Sequence, residues 1–166
     1  MRKMWYRIGS FAALWRTSYK WLMLTRRQAT DDDVAFLEVV FLRAMRVPIT
    51  AARGLWDETK ERAQFREQLQ LNHTQIIENN GMRIGFLMTL ERGHDIQLHT
   101  ICIAPENQGR GFGTNIIREL LDDASARKRG VIVSVLKANP AARSLYERLG
   151  FVVTEESTRH HHMRLV

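Results

Sequence analysis

The sequence predicts a single mixed α/β domain. Three observations support this prediction: apolar residues recur with a period of two in some segments and of 3.6 in others, turn residues separate these segments, and no internal repeat or low-complexity linker divides the chain. With 166 residues, 45% of them hydrophobic and 26% charged, the chain has the size and composition of one soluble globular domain. Intrinsic disorder and a multispanning membrane protein are disfavoured.

The first elements are one strand and two helices. Leu22 to Gln28 is a strand candidate, and residues 30–33, a threonine followed by three aspartates, supply an N-cap hydroxyl and negative charge for the first turn of a helix. The apolar face of this helix begins at Val34, and the helix is expected to end before Pro48 because proline restricts the residue that precedes it. A second amphipathic helix is predicted over roughly Asp57 to Leu71.

The remainder of the chain predicts six strands and two helices. Asn79-Asn80-Gly81 is rich in residues that tolerate positive φ and is expected to turn one strand into the next. One helix begins in the glycine-rich run Gln108 to Gly113 and ends near Arg129, and the other extends from Asn139 to Gly150 with a proline in its first turn. The strands are Thr74–Glu78, Met82–Glu91, Ile96–Ala104, Val131–Leu136, Phe151–Glu155 and Arg159–Leu165.

The net charge of +7 belongs to one end of the chain. Residues 1–30 hold seven basic side chains and no acidic one, so the rest of the chain balances at 18 basic and 18 acidic residues. A region without net charge lacks the electrostatic footprint that is typical of a nucleic-acid-binding protein. We therefore expect no nucleic-acid partner.

Residues 1–22 are interpreted as a basic, tryptophan-rich extension that precedes a domain over residues 23–166. The apolar run of the extension, Ile8 to Trp15, is too short to span a bilayer, which takes about 20 residues. Three interpretations of the extension remain: contact with an anionic membrane surface, packing in a homodimer, and an upstream addition before a native start at Met23. The last two are favoured. The single cysteine, Cys102, suits a reducing, cytoplasmic location.

The run Gln108-Gly109-Arg110-Gly111-Phe112-Gly113-Thr114 lies between a predicted strand and a predicted helix. Three glycines at alternate positions let a ligand approach the backbone, and the amides at the start of the helix favour a phosphate. The run is not a P-loop, because it lacks the lysine, and not a dinucleotide-binding fingerprint, because Thr114 stands where a glycine is required. Alone, it fits a phosphate-binding loop and a plain turn equally well.

About thirty residues further on, the stretch Asn139 to Phe151 follows a predicted buried strand. Together with the glycine run, it resembles the GNAT superfamily of acyl-CoA-dependent N-acetyltransferases. The matches to the family's Q/R-x-x-G-x-G/A loop are Gln108, Gly111 and Gly113, and those to its N-x-x-A-x-x-L-Y-x-x-x-G-F stretch are Asn139, Ala142, Leu145, Tyr146, Gly150 and Phe151. The resemblance covers Leu24 to Leu165 and implies a twisted, mostly antiparallel sheet with splayed central parallel strands and helices on both faces.

The resemblance also implies acetyl-CoA as co-substrate and a role for each matched position. Residues 109–114 would hold the pyrophosphate through backbone amides, and residues 101–103 would pair with the pantetheine arm and polarise the thioester carbonyl through one N–H. Tyr146 would protonate the leaving thiolate, a role that suits a phenol with an ordinary pKa of about 10. The implied cofactor-binding residues are Ile101, Cys102, Ile103, Gln108, Gly109, Arg110, Gly111, Phe112, Gly113, Thr114 and Asn139.

Transfer to an amine also needs a base, because an alkylammonium is protonated at neutral pH. Many members of the family place a glutamate on one of the two central strands, whereas Gln97 and Ser134 stand at the matching positions here. His99, on the same strand face as Gln97, is the best substitute, and a structural histidine is the alternative. Glu78 and Glu91 are weaker candidates, and the base stays unassigned.

Cys102 and the three consecutive histidines are interpreted as structural. Cys102 lies between two isoleucines in a predicted buried strand and is expected to be a core residue rather than a nucleophile. His160, His161 and His162 alternate faces on a strand, so that at most two converge, and no neighbouring ligand completes a metal site. We interpret them as solvated strand residues and expect no metal.

The sequence therefore predicts an enzyme that transfers the acetyl group of acetyl-CoA to a primary amine of a small molecule or peptide, by direct attack in a ternary complex. A catalytically silent acyl-CoA-binding module is the alternative, since no carboxylate base is evident. Residues 46–73, with Trp56, Phe65 and several charged side chains, are expected to frame the acceptor or to form a helix with a solvated face. They do not decide which amine binds.

Overall fold

The computed structural model describes residues 24–165, which form a seven-stranded sheet covered by helices on both faces. The extension over residues 1–22 lies outside this range. The strands are β1 (Leu24–Gln28), β2 (Thr74–Asn79), β3 (Met82–Arg92), β4 (Asp95–Ile103), β5 (Gly130–Leu136), β6 (Phe151–Glu156) and β7 (His160–Leu165). The α-helices are α1 (Val34–Arg53), α2 (Glu58–Gln68), α3 (Phe112–Ala126) and α4 (Pro140–Arg148).

The order of strands in the sheet is β1-β2-β3-β4-β5-β7-β6, and β4–β5 is its parallel pair. All other neighbours run antiparallel. Pairing between β4 and β5 stops at Leu98 and Val133, although β4 continues to Ile103 and β5 to Leu136. The two central strands therefore diverge toward their carboxyl ends, which confirms the predicted sheet with its splayed parallel pair.

A β-bulge interrupts β4 where the divergence begins. Thr89 of β3 pairs with Leu98 and Met88 pairs with Thr100, so His99 has no partner on β3. The bulge reverses the alternation of side chains along the strand, because an extra residue shifts a period of two by one position. Residues 96 and 98 pack against α3 and α4, and so do residues 101 and 103 beyond the bulge.

Each face of the sheet has its own core. One core combines α3 and α4 with the central strands, and its buried residues include Ile116, Leu120 and Tyr146. The other combines α1 and α2 with the opposite face, and includes Leu37 and Phe65. The predicted placement of helices on both faces is confirmed. Within residues 24–165, no helix is long and apolar enough to cross a bilayer.

The prediction that the first helix ends before Pro48 is wrong. Helix α1 continues through Pro48 to Arg53 and ends at Gly54, whose φ of 76° closes the last turn. The apolar face explains the continuation, since Ile49 beyond the proline is buried. Proline removes one N–H from the helix, and burial of the following turn offsets that loss.

Two buried carboxylates anchor α1 to its surroundings. Asp33, just before α1, accepts hydrogen bonds from Arg27 at 2.7 Å and from Arg83 at 3.0 Å. Glu38 on α1 accepts from Arg62 on α2 at 3.0 Å and also from Arg66. These arginines hold the pKa of each carboxyl below its usual range, against the opposing effect of burial.

Acidification should therefore destabilise the fold. Because both folded pKa values lie below the unfolded ones of about 3.9 and 4.3, the contribution of the two carboxylates is complete above about pH 5 and is lost as the pH falls through the folded pKa values. The free energy of unfolding, measured by urea titration, should decrease from about pH 5 to pH 3. Asp33→Asn should weaken this dependence, whereas the same change at exposed Asp122 should not. Equal stability at both pH values would contradict the prediction.

Candidate active site

A cleft with a volume of about 900 Å³ opens where β4 and β5 diverge. The start of α3 and the inner side of α4 line it on one face of the sheet, and α1 and α2 line it on the other. Of the residues predicted for the site, those that line the cleft are His99, Ile101, Ile103, Gln108, Gly109, Gly111, Phe112, Gly113, Thr114, Asn139 and Tyr146. Cys102 and Arg110 are not among the residues that line it.

The glycine-rich run forms the turn into α3. Gly109 and Gly111 have φ values of 73° and 82°, a conformation that a side chain disfavours. The first bond inside the helix runs from the Asn115 N–H to the Gly111 carbonyl, so the N–H groups of residues 112–114 have no helical acceptor. No side chain caps them. The start of α3 therefore offers three backbone donors to the cleft.

Gln108 fixes this turn to the sheet. Its side-chain amide donates to the Ile103 carbonyl at 2.8 Å, which joins the loop to the last residue of β4. Arg110 is exposed, with its guanidinium 5.2 Å from the Phe112 ring centroid. The loop is therefore tied down by Gln108, whereas Arg110 lies outside the cleft.

The backbone of β4 presents alternate peptide groups to the gap. The Ala104 N–H donates to Ile84 of β3 at 2.8 Å, and successive N–H groups of a strand point to opposite edges. The N–H groups of Ile103 and Ile101 consequently point away from β3 toward diverging β5, whereas that of Cys102 points to β3. Two of the three predicted β4 residues thus have backbone donors directed into the cleft.

Cys102 is a core residue, as predicted. Its side chain is 2% exposed and packs with α1 and α2. Burial raises the pKa of its thiol to about 12, so the thiolate is not populated at neutral pH. A covalent acyl-enzyme on this cysteine is disfavoured.

Tyr146 reaches the cleft from α4. The residue is 5% exposed, and its ring meets the Phe151 ring edge-on with centroids 5.4 Å apart. Within residues 24–165 its hydroxyl forms no hydrogen bond, so the O–H remains available to a ligand. Burial, and to a lesser extent the nearby Cys102 thiol, raises the pKa of Tyr146 and keeps the phenol protonated at neutral pH.

Asn139 starts α4. Its side-chain oxygen accepts from the Ala142 N–H at 3.1 Å and so caps the helix that carries Tyr146. Pro140 occupies the first helical turn, as predicted. Asn139 also lines the cleft, so it sets the position of α4 and is exposed to the same space as Tyr146.

His99 lies at the bulge and faces the α1–α2 side of the sheet. Its Nδ1 is 2.9 Å from the Thr100 hydroxyl oxygen. Burial, assisted by the positive charge of Arg92, lowers the pKa of His99, so the imidazole is neutral at neutral pH and can accept a proton. Glu78 and Glu91, the weaker candidates for a base, do not line the cleft.

The interpretation of all three consecutive histidines as solvated is wrong for His161. This residue is 7% exposed, and its ring lies between Glu156 at 3.0 Å and Arg143 of α4 at 3.2 Å. Strand alternation explains the burial, because His161 faces α4 while its two neighbours face the opposite side. Within residues 24–165, no group of three metal-ligating side chains converges.

The far end of the cleft lies between α1, α2 and the start of β7. Glu61 of α2 is buried there and forms an ion pair with Arg53 at the end of α1. Phe65 also lines this end, whereas Trp56 does not. His160 lies nearby, and burial together with the charges of His162, Arg159 and Arg53 lowers its pKa.

Two of these cleft residues, Arg53 and His160, were not named individually as site residues from the sequence. Arg53 lies within residues 46–73, which were expected to frame the acceptor, but it belongs to the part of α1 beyond Pro48, where no helix was expected. His160 reaches the cleft because β7 pairs with β5, where Leu136 is its partner. The apolar residue after the proline, Ile49, could have indicated that the helix continues to Arg53. No local sequence signal indicates that β7 pairs with β5.

Comparisons with known proteins identify the family of the chain. A family model described as an acetyltransferase (GNAT) domain matches residues 49–166. The 5-NmdU N-acetyltransferase of Pseudomonas phage PaMx11 is 36% identical over 84 residues, which cover 49% of this chain and 59% of that protein. N-alpha-acetyltransferase RimI of Mycobacterium tuberculosis is 34% identical over 95 residues, which cover 54% of this chain and 59% of that protein. The chain thus spans 59% of the length of each of these two relatives.

Solved structures share the fold. The PaiA N-acetyltransferase of Thermoplasma acidophilum in complex with coenzyme A superposes with a TM-score of 0.73 at 16% identity, covering 87% of this chain and 99% of that one. The ribosomal-protein-S18-alanine N-acetyltransferase of Escherichia coli gives a TM-score of 0.63 at 22% identity, covering 86% and 93%. With the family model matching well over half of its residues, the chain belongs to the GNAT superfamily of acetyltransferases.

Proposed function

We propose that the protein is an N-acetyltransferase that transfers the acetyl group of acetyl-CoA to a primary amine by direct attack in a ternary complex. One observation carries the proposal: a single cleft combines the three unpaired amides of α3, the diverging β4–β5 pair and the unpartnered hydroxyl of Tyr146. Family membership and the neighbour that contains coenzyme A support it.

Backbone donors along the cleft suit an acyl-CoA. The amides at the start of α3 would hold the pyrophosphate, since a helix N-terminus favours an anion. The N–H groups of Ile101 and Ile103 would pair with the pantetheine arm as a neighbouring strand does, and one of them would polarise the thioester carbonyl. Gln108 would keep the loop and the strand in one fixed arrangement.

The acid and the base would act from opposite faces of the sheet. Tyr146 belongs to the α3–α4 face and would donate its proton, or a strong hydrogen bond, to the departing thiolate. His99 faces the α1–α2 side, where a neutral imidazole would take a proton from the acceptor ammonium. The amine would therefore approach from the side opposite to the cofactor.

The acceptor would occupy the end of the cleft near Phe65, Glu61 and Arg53. We propose a primary amine on a small molecule or peptide. The relatives are named for different acceptors, among them 5-NmdU and L-amino acids, so the acceptor has to be found by experiment. The proposal gives residues 1–22 no catalytic part and assumes a cytoplasmic enzyme with a reduced, buried Cys102.

Release of free CoA thiol from acetyl-CoA across a panel of amines tests the proposal, together with the affinity for CoA measured by calorimetry. We expect CoA to bind and at least one class of amine to accelerate thiol release. Binding without release for every amine would favour the catalytically silent acyl-CoA-binding module. Absence of both would refute the proposed function.

Gly111→Val provides the variant for the cofactor loop. Valine at a φ of 82° costs about 1–2 kcal/mol, and relief of this strain would move the amides of the first turn of α3, so the affinity for CoA should fall by about tenfold or more. Gly81→Val is the matched control, because Gly81 has a φ of 76° and lies in the β2–β3 turn away from the cleft. Equal CoA affinities of the two variants would contradict the assignment of the loop.

A further inference from the structure

Acetylation of an alkylammonium removes two protons from nitrogen. One leaves before the amine attacks, since an alkylamine with a pKa of about 10 is protonated at neutral pH, and the second leaves the tetrahedral adduct. A single imidazole holds only one of them at a time. We propose that Ser134 and His162 form a proton relay that accepts the second proton. The inference rests on the function proposed above and names a second acceptor at the same site.

Ser134 and His162 form a close pair on adjacent strands. Ser134 of β5 is directly opposite His162 of β7, and its Oγ lies 2.9 Å from the imidazole Nδ1. Ser134 is exposed and lines the cleft. The hydroxyl therefore contacts both the cleft and a titratable ring, which is the arrangement that a relay requires.

The position of Ser134 in the sheet places it at the point of divergence. The last pair between β4 and β5 joins Leu98 to Val133, so His99 and Ser134 are the first residues beyond it on the two strands. Val133 and Val135 pack into the α3–α4 core, which directs Ser134 to the opposite face. His99 faces the same side. The acceptor nitrogen would thus meet the His99 imidazole from β4 and the Ser134 hydroxyl from β5.

Proton transfer through the pair balances without any further reactant. The Ser134 hydroxyl donates to Nδ1 of neutral His162, which leaves the oxygen lone pairs free to accept an N–H of the adduct. As that proton moves to Oγ, the original hydroxyl proton moves to Nδ1 and gives an imidazolium. The N–H electron pair stays on nitrogen, and the oxyanion of the adduct re-forms the C=O bond as the C–S bond breaks. The departing thiolate takes its proton from Tyr146, and His162 then releases its proton to solvent.

The charged and titratable groups around His162 are compatible with this role. Glu155 of β6 lies opposite His162 across the β6–β7 strand pair. Arg164 lies two residues along β7 but forms an ion pair with Asp95 at 2.6 Å. The His160 ring, 6.4 Å away, is kept neutral by its lowered pKa. The nearby cationic charge is thus partly neutralised.

His99 would take the first proton, the one that the alkylammonium loses before it attacks. Its ring is half-buried on β4 and hydrogen-bonded to Thr100 rather than to Ser134. The two histidines therefore belong to separate hydrogen-bonded pairs: His99 with Thr100 on β4, and His162 of β7 with Ser134 of β5. Loss of either should affect a different proton transfer.

A pair of acceptors separates the two transfers: an alkylamine on which the wild-type enzyme is active and its analogue with three fluorines on the β-carbon. Fluorine withdraws electron density, so the analogue is a neutral amine at neutral pH and needs no first deprotonation. With the alkylamine, His99→Gln, Ser134→Ala and His162→Gln should each lower kcat/KM by about tenfold or more. With the fluorinated analogue, His99→Gln should regain nearly wild-type activity, whereas Ser134→Ala and His162→Gln should not.

Three controls make the result interpretable. Ser134→Thr keeps the hydroxyl and should retain most of the wild-type activity. Ser134→Ala should match the wild type in CoA affinity and in stability, because the Ser134 side chain is exposed. His94→Gln makes the same change at an exposed turn residue and should have no effect. Wild-type activity of Ser134→Ala with both acceptors, or loss with the alkylamine alone, would overturn the relay. A wild-type enzyme that acetylates no amine would instead overturn the proposed function.

Discussion

Tyr146→Phe should lower kcat for acetyl transfer by about 10²–10³ and leave the Kd for CoA nearly unchanged. The phenol is the one hydroxyl that α4 directs into the cleft, and burial raises its pKa, which keeps it protonated at neutral pH. Without it, the thiolate would depart without a proton or a hydrogen bond from the protein. Thiol-release kinetics at saturating acetyl-CoA and calorimetry with CoA measure the two quantities.

The phenylalanine variant isolates the chemical contribution of the hydroxyl. The edge-on contact with Phe151 involves the ring alone, so Phe should preserve the packing of α4 against β6. Tyr146→Ala removes the ring as well and should lower the free energy of unfolding by about 3–5 kcal/mol, as other buried aromatic truncations do. Full activity of the phenylalanine variant would exclude Tyr146 as the proton donor.

The order and type of the elements were predictable because each depends on local patterns. Period-two segments became strands, period-3.6 segments became helices, and Asn80 and Gly81 adopt the positive φ values that the turn between β2 and β3 requires. Local rules failed at Pro48, where burial of Ile49 on the apolar face outweighs the cost of proline in a helix. That balance involves tertiary packing, which no window of sequence contains.

The two sides of the cleft differed in how far they could be predicted. The loop before α3 and the helix with Tyr146 are contiguous segments, so their residue types identify them. The α1–α2 side is assembled from distant segments: Ser134 meets His162 only because β7 pairs with β5, and the bulge at His99 changes which side chains face the acceptor. A bulge and a strand order leave little trace in sequence periodicity.

Gly85→Ala should destabilise the protein by about 3 kcal/mol and weaken CoA binding at the same time. Gly85 lies in β3 between Ile77 of β2 and Ile103 of β4. A Cβ at this position would lie well inside van der Waals contact with the backbone oxygen of Cys102 and 2.9 Å from the Ile103 Cδ1. Since the oxygen belongs to the backbone of β4, relief requires β4 to move away from β3.

That movement explains why stability and cofactor affinity should change together. The β4 segment that would shift carries the N–H groups of Ile101 and Ile103, which face the gap toward β5. Gly113→Ala is the matched substitution with the opposite expectation for stability, because its Cβ would meet only the Ile103 Cγ1 at 3.9 Å, and alanine favours the helix by up to about 1 kcal/mol. Urea unfolding should therefore separate the two variants by about 3 kcal/mol or more. An unfolding midpoint of Gly85→Ala equal to that of the wild type would mean that β3 and β4 can separate without loss of stability. In that case the fixed position of β4 would no longer support the proposed pairing of its amides with the pantetheine arm.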